Sequence, residues 1–248
     1  MTERQRLDRA LEARGLVMSR ARARDAILRG TVKVNGQVTT KPAQAVSEAD
    51  IIVINDPASF YVSRAALKLI AGLDAGRIEV VGKTCLDVGA STGGFTEVLL
   101  ERGAARVFAV DVGHEQMAEK LRADPRVTLI EGCNARDLTR AELPDPIDLL
   151  VCDVSFVSVE KVLAAPLGLC RPQAEAVILF KPQFEVGRAH VGKGGIVTDQ
   201  TAIAEAKLRV ALFLRREGWR FIAETPSPIA GGDGNEETVL IVSRTIEQ

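Results

Sequence analysis

Four charged side chains lie where the chain is expected to reach a catalytic cleft. Lys68 lies in a helical stretch before the first strand, and Glu237 enters the last apolar run. Asp153 and Lys181 each end an apolar run of the kind that is buried on both faces of a sheet. A buried lysine beside another cation loses affinity for its proton and can act as a base. The alternative is a charged residue that only reaches solvent at a sheet edge.

A glycine-rich stretch, LDVGASTGGF at residues 86–95, marks a candidate cofactor site. Its spacing, G-x-x-x-G-G, differs from the G-x-G-x-x-G of dinucleotide-binding proteins. Asp111 ends the next strand 24 residues after Asp87, and a carboxylate there can accept both hydroxyl hydrogen bonds of a ribose. The candidate cofactor-binding residues are Asp87, Gly89, Ser91, Gly93, Gly94, Phe95, Asp111, Asn134 and Asp153. The alternative is a turn that only packs the first helix.

Regular alternation of strands and helices predicts the elements that position these residues. The predicted strands cover residues 84–89, 106–112, 127–131, 147–153, 176–181, 219–224 and 238–243. The predicted helices cover residues 94–102, 115–121, 159–169 and 202–217. Such alternation predicts an α/β fold with a doubly wound parallel sheet, which binds ligands at the carboxyl ends of its strands.

The first 45 residues differ from the rest in charge and in pattern. They contain ten Lys or Arg and four Asp or Glu, about +6, which leaves about −7 for the remainder. Two short helices are expected, one with Leu7, Leu11 and Leu16 on its apolar side and one capped by Ser19. An Asn-Gly hairpin at residues 32–38 and a strand at 51–54 follow. Arginines around the second helix favour nucleic acid over a merely solvated face, since guanidinium groups suit phosphate.

Several motifs carry resemblances to known families. R-L-D-x-x-L followed by S-R-x-x-A-x-x-x-I-x-x-G-x-V-x-V-N-G resembles the RNA-binding module of the ribosomal protein S-four type. The glycine-rich stretch resembles the first motif of S-adenosylmethionine-dependent methyltransferases. The four charged residues resemble the Lys-Asp-Lys-Glu set of RNA ribose 2′-O-methyltransferases. With C-D-V-S-F-V-S, K-P-Q-F-E-V-G, V-G-K-G-G-I-V-T-D and S-P-I…G-N-x-E in order, the chain resembles the hemolysin-TlyA family of ribosomal RNA methyltransferases.

The resemblance implies a domain organisation and a reaction. It implies a Rossmann-like class I methyltransferase sheet in residues 63–248, a linker at 56–62 and a small α+β RNA-binding domain in residues 1–55. The expected cofactor is S-adenosylmethionine. The expected acceptor is the ribose 2′-OH of a cytidine in large-subunit 23S RNA, with 16S RNA as a second candidate. The joint departs from some members, because Ser59-Phe60-Tyr61 replaces an Arg-Ala-Trp run. The short ends resemble a compact subgroup linked to large-subunit RNA alone.

The resemblance also implies roles for the charged residues. Lys181 would be the base that takes the hydroxyl proton, and Lys68 its neighbouring cation, which also helps hold the substrate. Asp153 would position Lys181 and favour the positive methyl donor, whereas Glu237 would orient Lys68. The candidate RNA-binding residues are Arg6, Arg20, Arg22, Arg24, Lys33, Arg64, Arg188 and Lys193.

The segment GRAHVGKG, Gly187 to Gly194, has the spacing of a phosphate-binding loop of nucleotide hydrolases. The next residue of that motif is Ser or Thr, whereas Gly194 stands here, and the residues that follow are poor helix formers. A nucleotide hydrolase is therefore disfavoured. Because the segment follows Lys181, we expect a mobile lid whose Arg188 and Lys193 touch RNA phosphate. A plain connecting loop is the alternative.

Other function classes have less support. No apolar run is long enough to span a bilayer and the N-terminal residues lack a signal-peptide core, so we expect a cytoplasmic protein without a membrane partner. Four widely spaced cysteines suggest reduced thiols, and two histidines make a metal site improbable. The remaining alternatives are a non-catalytic RNA-binding or ribosome-assembly factor and a hemolysin-type cytolytic protein.

Overall fold

A computed structural model of the chain describes residues 4–244 and divides into two compact units, one ending at Phe60 and the other beginning at Tyr61. The first unit contains two helices, α1 (Leu7–Ala13) and α2 (Arg20–Leu28). Its strands are β1 (Gln5–Arg6), β2 (Val32–Val34), β3 (Gln37–Val38), β4 (Ala45–Val46) and β5 (Ile52–Ile54). Strand β1 pairs with β4, and the other three form an antiparallel sheet in the order β3-β2-β5.

The apolar sides of α1 and α2 form the core of this first unit. Leu7, Leu11 and Ile27 are fully buried there. The Ser19 hydroxyl accepts a hydrogen bond from the Arg22 N–H at 3.3 Å, so the predicted N-cap of α2 is confirmed. The prediction for Leu16 is wrong. Helix α1 ends at Ala13 and Leu16 is 43% exposed, because the chain has already turned away from the core.

The second unit contains seven helices and seven strands among the described residues. The helices are α3 (Ala66–Gly76), α4 (Gly94–Glu101), α5 (Glu119–Arg122), α6 (Val159–Val162), α7 (Ala164–Gly168), α8 (Pro182–Glu185) and α9 (Gln200–Arg216). The strands are β6 (Thr84–Val88), β7 (Arg106–Val110), β8 (Val127–Ile130), β9 (Ile147–Cys152), β10 (Cys170–Phe180), β11 (Trp219–Pro226) and β12 (Thr238–Arg244).

These seven strands form one sheet in the order β11-β12-β10-β9-β6-β7-β8. Strands β8, β7, β6, β9 and β10 are parallel to one another, whereas β12 runs antiparallel between β10 and β11. Apolar clusters cover both faces of the sheet, so its central strands are apolar on both sides. The predicted α/β class with a mostly parallel sheet is confirmed.

Two predicted helices are shorter than expected for local reasons. The helix predicted at residues 115–121 shrinks to α5, because Glu115 has a φ of 54°, outside the helical region. The helix predicted at 159–169 divides into α6 and α7. Pro166 lies just after the break; its ring lacks an N–H and clashes with the carbonyl four residues earlier.

Strand β10 begins six residues earlier than the prediction at residues 176–181, and the pairing with β9 is irregular between Cys170 and Glu175. Gln173 has a φ of 69° within that irregular part. Pro172 and this turn of the backbone explain why a regular strand pattern begins only later in the sequence.

Candidate active site

The site is built where parallel strands end side by side. Val88 at the end of β6 pairs with Cys152 of β9 on one side and with Val110 of β7 on the other. The Asp153 N–H donates to the Val88 carbonyl at 3.0 Å, so this carboxylate is fixed beside the glycine-rich turn. Gly89 has a φ of 85°, and a Cβ there would lie 2.8 Å from the Asp153 carbonyl oxygen. A larger residue would therefore push these two strand ends apart.

A cavity of about 510 Å³ opens at these strand ends. Its walls include Gly89, Ser91, Asp111, Asn134 and Asp153. Its volume lies within the usual range for small-ligand sites. Asp111 accepts the Ser91 N–H at 2.8 Å on one carboxylate oxygen and the Gly113 N–H at 2.7 Å on the other. Each of these oxygens has a second lone pair, so the carboxylate can still accept hydroxyl donors.

Asp87 is fully buried and is not part of the wall of this cavity. One carboxylate oxygen accepts the Thr96 hydroxyl at 2.7 Å, and Oδ1 has no hydrogen-bond partner among the described residues. Burial raises the pKa of Asp87 to about 7, with the Thr96 hydrogen bond acting in the opposite direction. A buried, unsatisfied carboxylate oxygen is costly by itself. It fits a site that receives a cationic ligand group.

The remaining glycine-rich residues divide between lining and packing. Gly94 and Phe95 line a smaller cavity of about 170 Å³ that shares Gly89 and Ser91 with the first one. Gly93, with a φ of 96°, lines neither cavity and lies against the Leu121 side chain. The structure thus brings together most of the predicted cofactor residues and puts Asp87 and Gly93 behind them.

Lys181 and Asp153 form a buried ion pair at the smaller cavity. Lys181 Nζ lies 2.5 Å from Asp153 Oδ1, and the two side chains are 8% and 14% exposed. The same Nζ donates to Ser155 Oγ at 2.8 Å. Both residues line the cavity that contains the glycine-rich turn. Lys181 Nζ is thus held on the wall of this cavity by one ion pair and one hydrogen bond.

Lys68 and Glu237 form a second buried ion pair, with Nζ 2.5 Å from Oε2. Helix α3 carries the lysine, and the turn before β12 carries the glutamate. Neither residue lines the two cavities described above; Glu237 lines a third cavity of about 500 Å³. No hydrogen bond among the described residues joins this pair to Lys181. Each lysine therefore has its own carboxylate, in the pairing that the sequence predicted.

Sequence reasoning assigned no role to two residues of the cavity walls, Ser155 and Phe156, and to the buried Glu185. Ser155 holds Lys181, as described above. Glu185 of α8 accepts the Val159 N–H and the Ser158 hydroxyl, both at 2.8 Å, and burial raises its pKa. Phe156 has a φ of 67°, is 91% exposed and lines the larger cavity. The motifs C-D-V-S-F-V-S and K-P-Q-F-E-V-G contain all three, but only the tertiary contacts separate them from their neighbours.

The arginines of the first unit differ in how they are held. Arg6 and Arg20 both bind the buried Asp8 carboxylate, at 2.9 and 3.0 Å, and these contacts hold the pKa of Asp8 well below its usual range. Arg22 donates to the Ala58 carbonyl at 3.1 Å. Arg29 grips Asp56 with two hydrogen bonds, at 2.6 and 2.7 Å.

The other predicted RNA-binding residues vary in exposure. Arg24 and Lys33 are exposed in the first unit, and Arg188 and Lys193 are exposed in the second, whereas Arg64 is partly buried. Thus only some of the candidate cations present a fully accessible guanidinium or ammonium group. All of the predicted RNA contacts stay predictions.

Residues 4–244 contain neither a cluster suited to a metal ion nor a helix suited to a membrane. In that range no cluster of three or more His, Cys, Asp or Glu side chains is arranged to hold a metal ion. None of the helices described there combines the length and hydrophobicity needed to cross a membrane. The four cysteines are free thiols, and burial raises the pKa of Cys85, Cys152 and Cys170 to about 12.

Comparison with known proteins shows the family of the chain. Residues 61–244 match the model of the FtsJ-like methyltransferase family, and residues 5–52 match the S4 domain. The chain belongs to the FtsJ-like methyltransferase family. It is 46% identical over 241 residues to the 16S/23S rRNA (cytidine-2′-O)-methyltransferase TlyA of Mycobacterium tuberculosis, covering 97% of this chain and 90% of the relative.

Two further relatives widen the comparison. The chain is 39% identical over 178 residues to the 23S rRNA (cytidine-2′-O)-methyltransferase TlyA of Campylobacter jejuni, covering 71% of this chain and 68% of the relative. A solved hemolysin structure from Streptococcus thermophilus superposes with a TM-score of 0.76 at 33% identity, covering 99% of this chain and 90% of that one. The family predicted for this FtsJ-like methyltransferase is confirmed. The word hemolysin occurs only in the names of relatives.

Proposed function

We propose that this FtsJ-like methyltransferase transfers a methyl group from S-adenosylmethionine to the ribose 2′-OH of a cytidine in ribosomal RNA. The observation that carries the proposal is the Lys181–Asp153 pair, held in a cavity that shares its wall with the glycine-rich turn. The names of the relatives from Mycobacterium tuberculosis and Campylobacter jejuni support the RNA class and the atom. Both names include 23S RNA, so the large subunit is the first substrate to test and 16S RNA the second.

The residues at the strand ends suit S-adenosylmethionine. The unsatisfied Oδ1 of Asp87 offers a negative charge for the amino group of the methionine part. Asp111 can accept hydroxyl hydrogen bonds from the ribose, and Asn134 lies on the wall of the same cavity. The absence of a Cβ at Gly89 lets the backbone approach the ligand. When bound, the cofactor supplies an electrophilic methyl group on a positively charged sulfur.

The chain's own residues would handle the proton and the alignment. Lys181 Nζ is held by Asp153 and Ser155. In its neutral amine form, after its extra proton has passed to solvent, Nζ would bind the 2′-hydroxyl and take the hydroxyl proton as the ribose oxygen is methylated. The fixed Asp153 carboxylate would compensate the positive charge that then develops on Nζ. Lys68, fixed by Glu237, would hold the substrate in line. Recognition of a 2′-OH is also what separates RNA from DNA.

The S4 domain supports a ribosomal RNA or ribosomal-subunit partner. Its exposed cations, Arg24 and Lys33, would bind phosphate, whereas arginines that are already paired would mainly shape the surface. A family of enzymes that act on ribosomal RNA supports a cytoplasmic location for this chain. A non-catalytic RNA-binding factor would not require both buried lysine–carboxylate pairs.

The decisive experiment is methyl transfer from labelled S-adenosylmethionine to unmodified 23S RNA, 16S RNA and both intact subunits. We expect label on a cytidine ribose, detected as a 2′-O-methylated nucleoside after complete digestion. Lys181→Ala should abolish that label. Label on a base would contradict the proposed acceptor. Tight RNA binding without any label on the four substrates would favour the RNA-binding factor.

A further inference from the structure

The glycine-rich loop, residues 187–196, is mostly exposed and basic. It consists of two single 3₁₀ turns, Arg188–His190 and Lys193–Gly195, closed by short-range backbone hydrogen bonds. His190 Nδ1 also lies 3.0 Å from Asp199 Oδ2, just before α9. Arg188 and Lys193 take part in none of the ion pairs described for residues 4–244. Backbone contacts of the loop and contacts with residues outside it therefore hold these two cations in place.

The side-chain amide of the buried Asn235 makes two of the contacts that hold the loop. Asn235 is 2% exposed, and its Nδ2 donates to the Gly195 carbonyl at 2.8 Å. Its Oδ1 accepts the Val197 N–H at 2.9 Å. Thus both the nitrogen and the oxygen of the side-chain amide form hydrogen bonds with backbone groups at the end of the glycine-rich loop. Since one partner is an acceptor and the other a donor, the carboxamide satisfies both, whereas an ionised carboxylate of the same size lacks the donor.

The same residue lies two positions before Glu237, in a tightly closed turn. The Asn235 carbonyl accepts the Gly231 N–H at 2.9 Å, and the Ser227 N–H donates to the Glu237 carbonyl at 2.9 Å. A Cβ at Gly231 would lie 2.6 Å from Glu237 Oε1, so the turn packs directly on the carboxylate that binds Lys68. A shift of this turn would move both the glycine-rich loop and the buried ion pair.

We propose that Asn235 is a positioning residue that holds the glycine-rich loop in register with the Lys68–Glu237 pair, so that Arg188 and Lys193 receive an RNA phosphate next to the catalytic cleft. The inference rests on the proposed function for the identity of the phosphate ligand. We call the two hydrogen bonds of the Asn235 amide, to Gly195 and Val197, the clamp. Its existence does not depend on the proposed function. The loop would then bind the substrate in a fixed position, because Asn235 holds its end.

Asn235→Asp is the sharpest variant because it keeps the size and the acceptor for Val197. Its second oxygen would face the Gly195 carbonyl, which replaces a hydrogen bond by repulsion. Gln200→Glu is the matched control: it adds the same charge at an exposed position at the start of α9. Affinity for S-adenosylhomocysteine serves as the folding check and should stay within about twofold of the parent in both variants.

The first measurement is limited proteolysis with trypsin. We expect cleavage after Arg188 and Lys193 to be about 10-fold faster in Asn235→Asp, because the loop opens more often. Cleavage at other sites, and all cleavage in Gln200→Glu, should keep the parent's rates. Unchanged cleavage of the loop would overturn the clamp. This measurement does not depend on methyl transfer, so it remains decisive if the proposed function fails.

The second measurement is affinity for ribosomal RNA in a double-mutant cycle. Asn235→Asp should weaken RNA binding about 10-fold in the parent, and should have almost no further effect once Arg188→Gln and Lys193→Gln are present. That non-additivity would show that Asn235 acts through the two cations. Faster loop cleavage without weaker RNA binding would overturn the positioning role. Equal weakening in both backgrounds would overturn it as well.

Discussion

The cations of the two units are held in opposite ways. In the second unit Lys68 and Lys181 have side chains that are 7% and 8% exposed, and each is 2.5 Å from one carboxylate oxygen. In the first unit Arg6 and Arg20 share one buried carboxylate, but their side chains are 43% and 49% exposed. Buried charges must be paired to be tolerated at all, whereas exposed pairs contribute little stability and keep free donors.

This difference separates two tasks of a positive charge. A lysine that moves a proton must be dehydrated and fixed, which requires a partner for each buried charge. A cation that binds RNA phosphate must remain accessible and be replaceable by counterions. The paired arginines Arg6 and Arg20 of the first unit are fixed by Asp8 but are not dehydrated, so they suit neither proton transfer nor free exchange with counterions and mainly shape the surface. We expect substitutions to have sharply different consequences in the two units.

The largest effect is expected at Lys181. Lys181→Ala should lower kcat by about 1,000-fold, because the group that takes the hydroxyl proton is gone. Lys181→Arg keeps the charge but cannot accept the proton, so it should be nearly as inactive. Single-turnover methyl transfer at saturating RNA measures this, with the affinity for S-adenosylhomocysteine as a check on the site. If Lys181→Arg retained most of the activity, Lys181 would be a charge contact like the arginines of the first unit.

The next largest effect is expected at the second buried pair. Glu237→Gln leaves the Lys68 charge buried without its partner, which should cost about 3 kcal/mol of stability and lower kcat by tens-fold or more. Denaturant unfolding and initial rates measure the two effects. The adjacent exposed Glu236→Gln is the control and should change neither by much. Equal stability of the two variants would mean that this pair behaves like a surface ion pair.

A graded effect, smaller per pH unit than the loss of the second buried pair, is expected from Asp87. Its pKa in the folded chain, about 7, lies above that of an unfolded aspartate, so the folded state binds the extra proton. Relative to Asp87→Asn, the parent should therefore have its full advantage in stability at and below about pH 4, and lose up to about 1.4 kcal/mol per pH unit as pH rises towards 7. Urea unfolding of both proteins at several pH values measures this difference.

Ligand binding provides a control for the Asp87 prediction. S-adenosylhomocysteine carries the same amino group as the proposed cofactor, so its binding should favour the charged carboxylate and flatten the pH dependence. A pH-independent difference between parent and Asp87→Asn would contradict the burial argument. A slope that S-adenosylhomocysteine leaves unchanged would argue against the ammonium contact while leaving the buried carboxylate in place.

The smallest effect is expected on the exposed surface of the first unit. Arg24→Gln should weaken RNA binding several-fold and reduce the slope of log affinity against log salt by about one, with little change in stability. Arg29→Gln should do the reverse, because Arg29 is 18% exposed and binds both Asp25 and Asp56. Filter binding over a salt series and thermal unfolding compare the two. Identical salt slopes for the parent and Arg24→Gln would remove Arg24 from the RNA surface.

Much of the fold could be predicted because local patterns and burial agreed. The apolar runs before Asp87, Asp153 and Lys181 are strands, and parallel strands bring their carboxyl ends to one edge. The predictions that failed depend on single backbone states, such as the positive φ of Glu115 and the break before Pro166. Leu16 failed because a helix end depends on its tertiary surroundings as well as on the sequence pattern.

The sequence by itself determined the types and order of the site residues and the strand ends that carry them, since the alternating apolar runs can be read directly from it. The family resemblance implied which carboxylate serves which lysine, but only the tertiary structure brings the partners together, because Lys68 and Glu237 are 169 positions apart and meet only when α3 packs beside β12. The tertiary structure also decided that Asn235 holds the glycine-rich loop and that Asp87 keeps an unsatisfied oxygen. Pairing and desolvation arise from long-range packing, which a sequence motif does not encode locally.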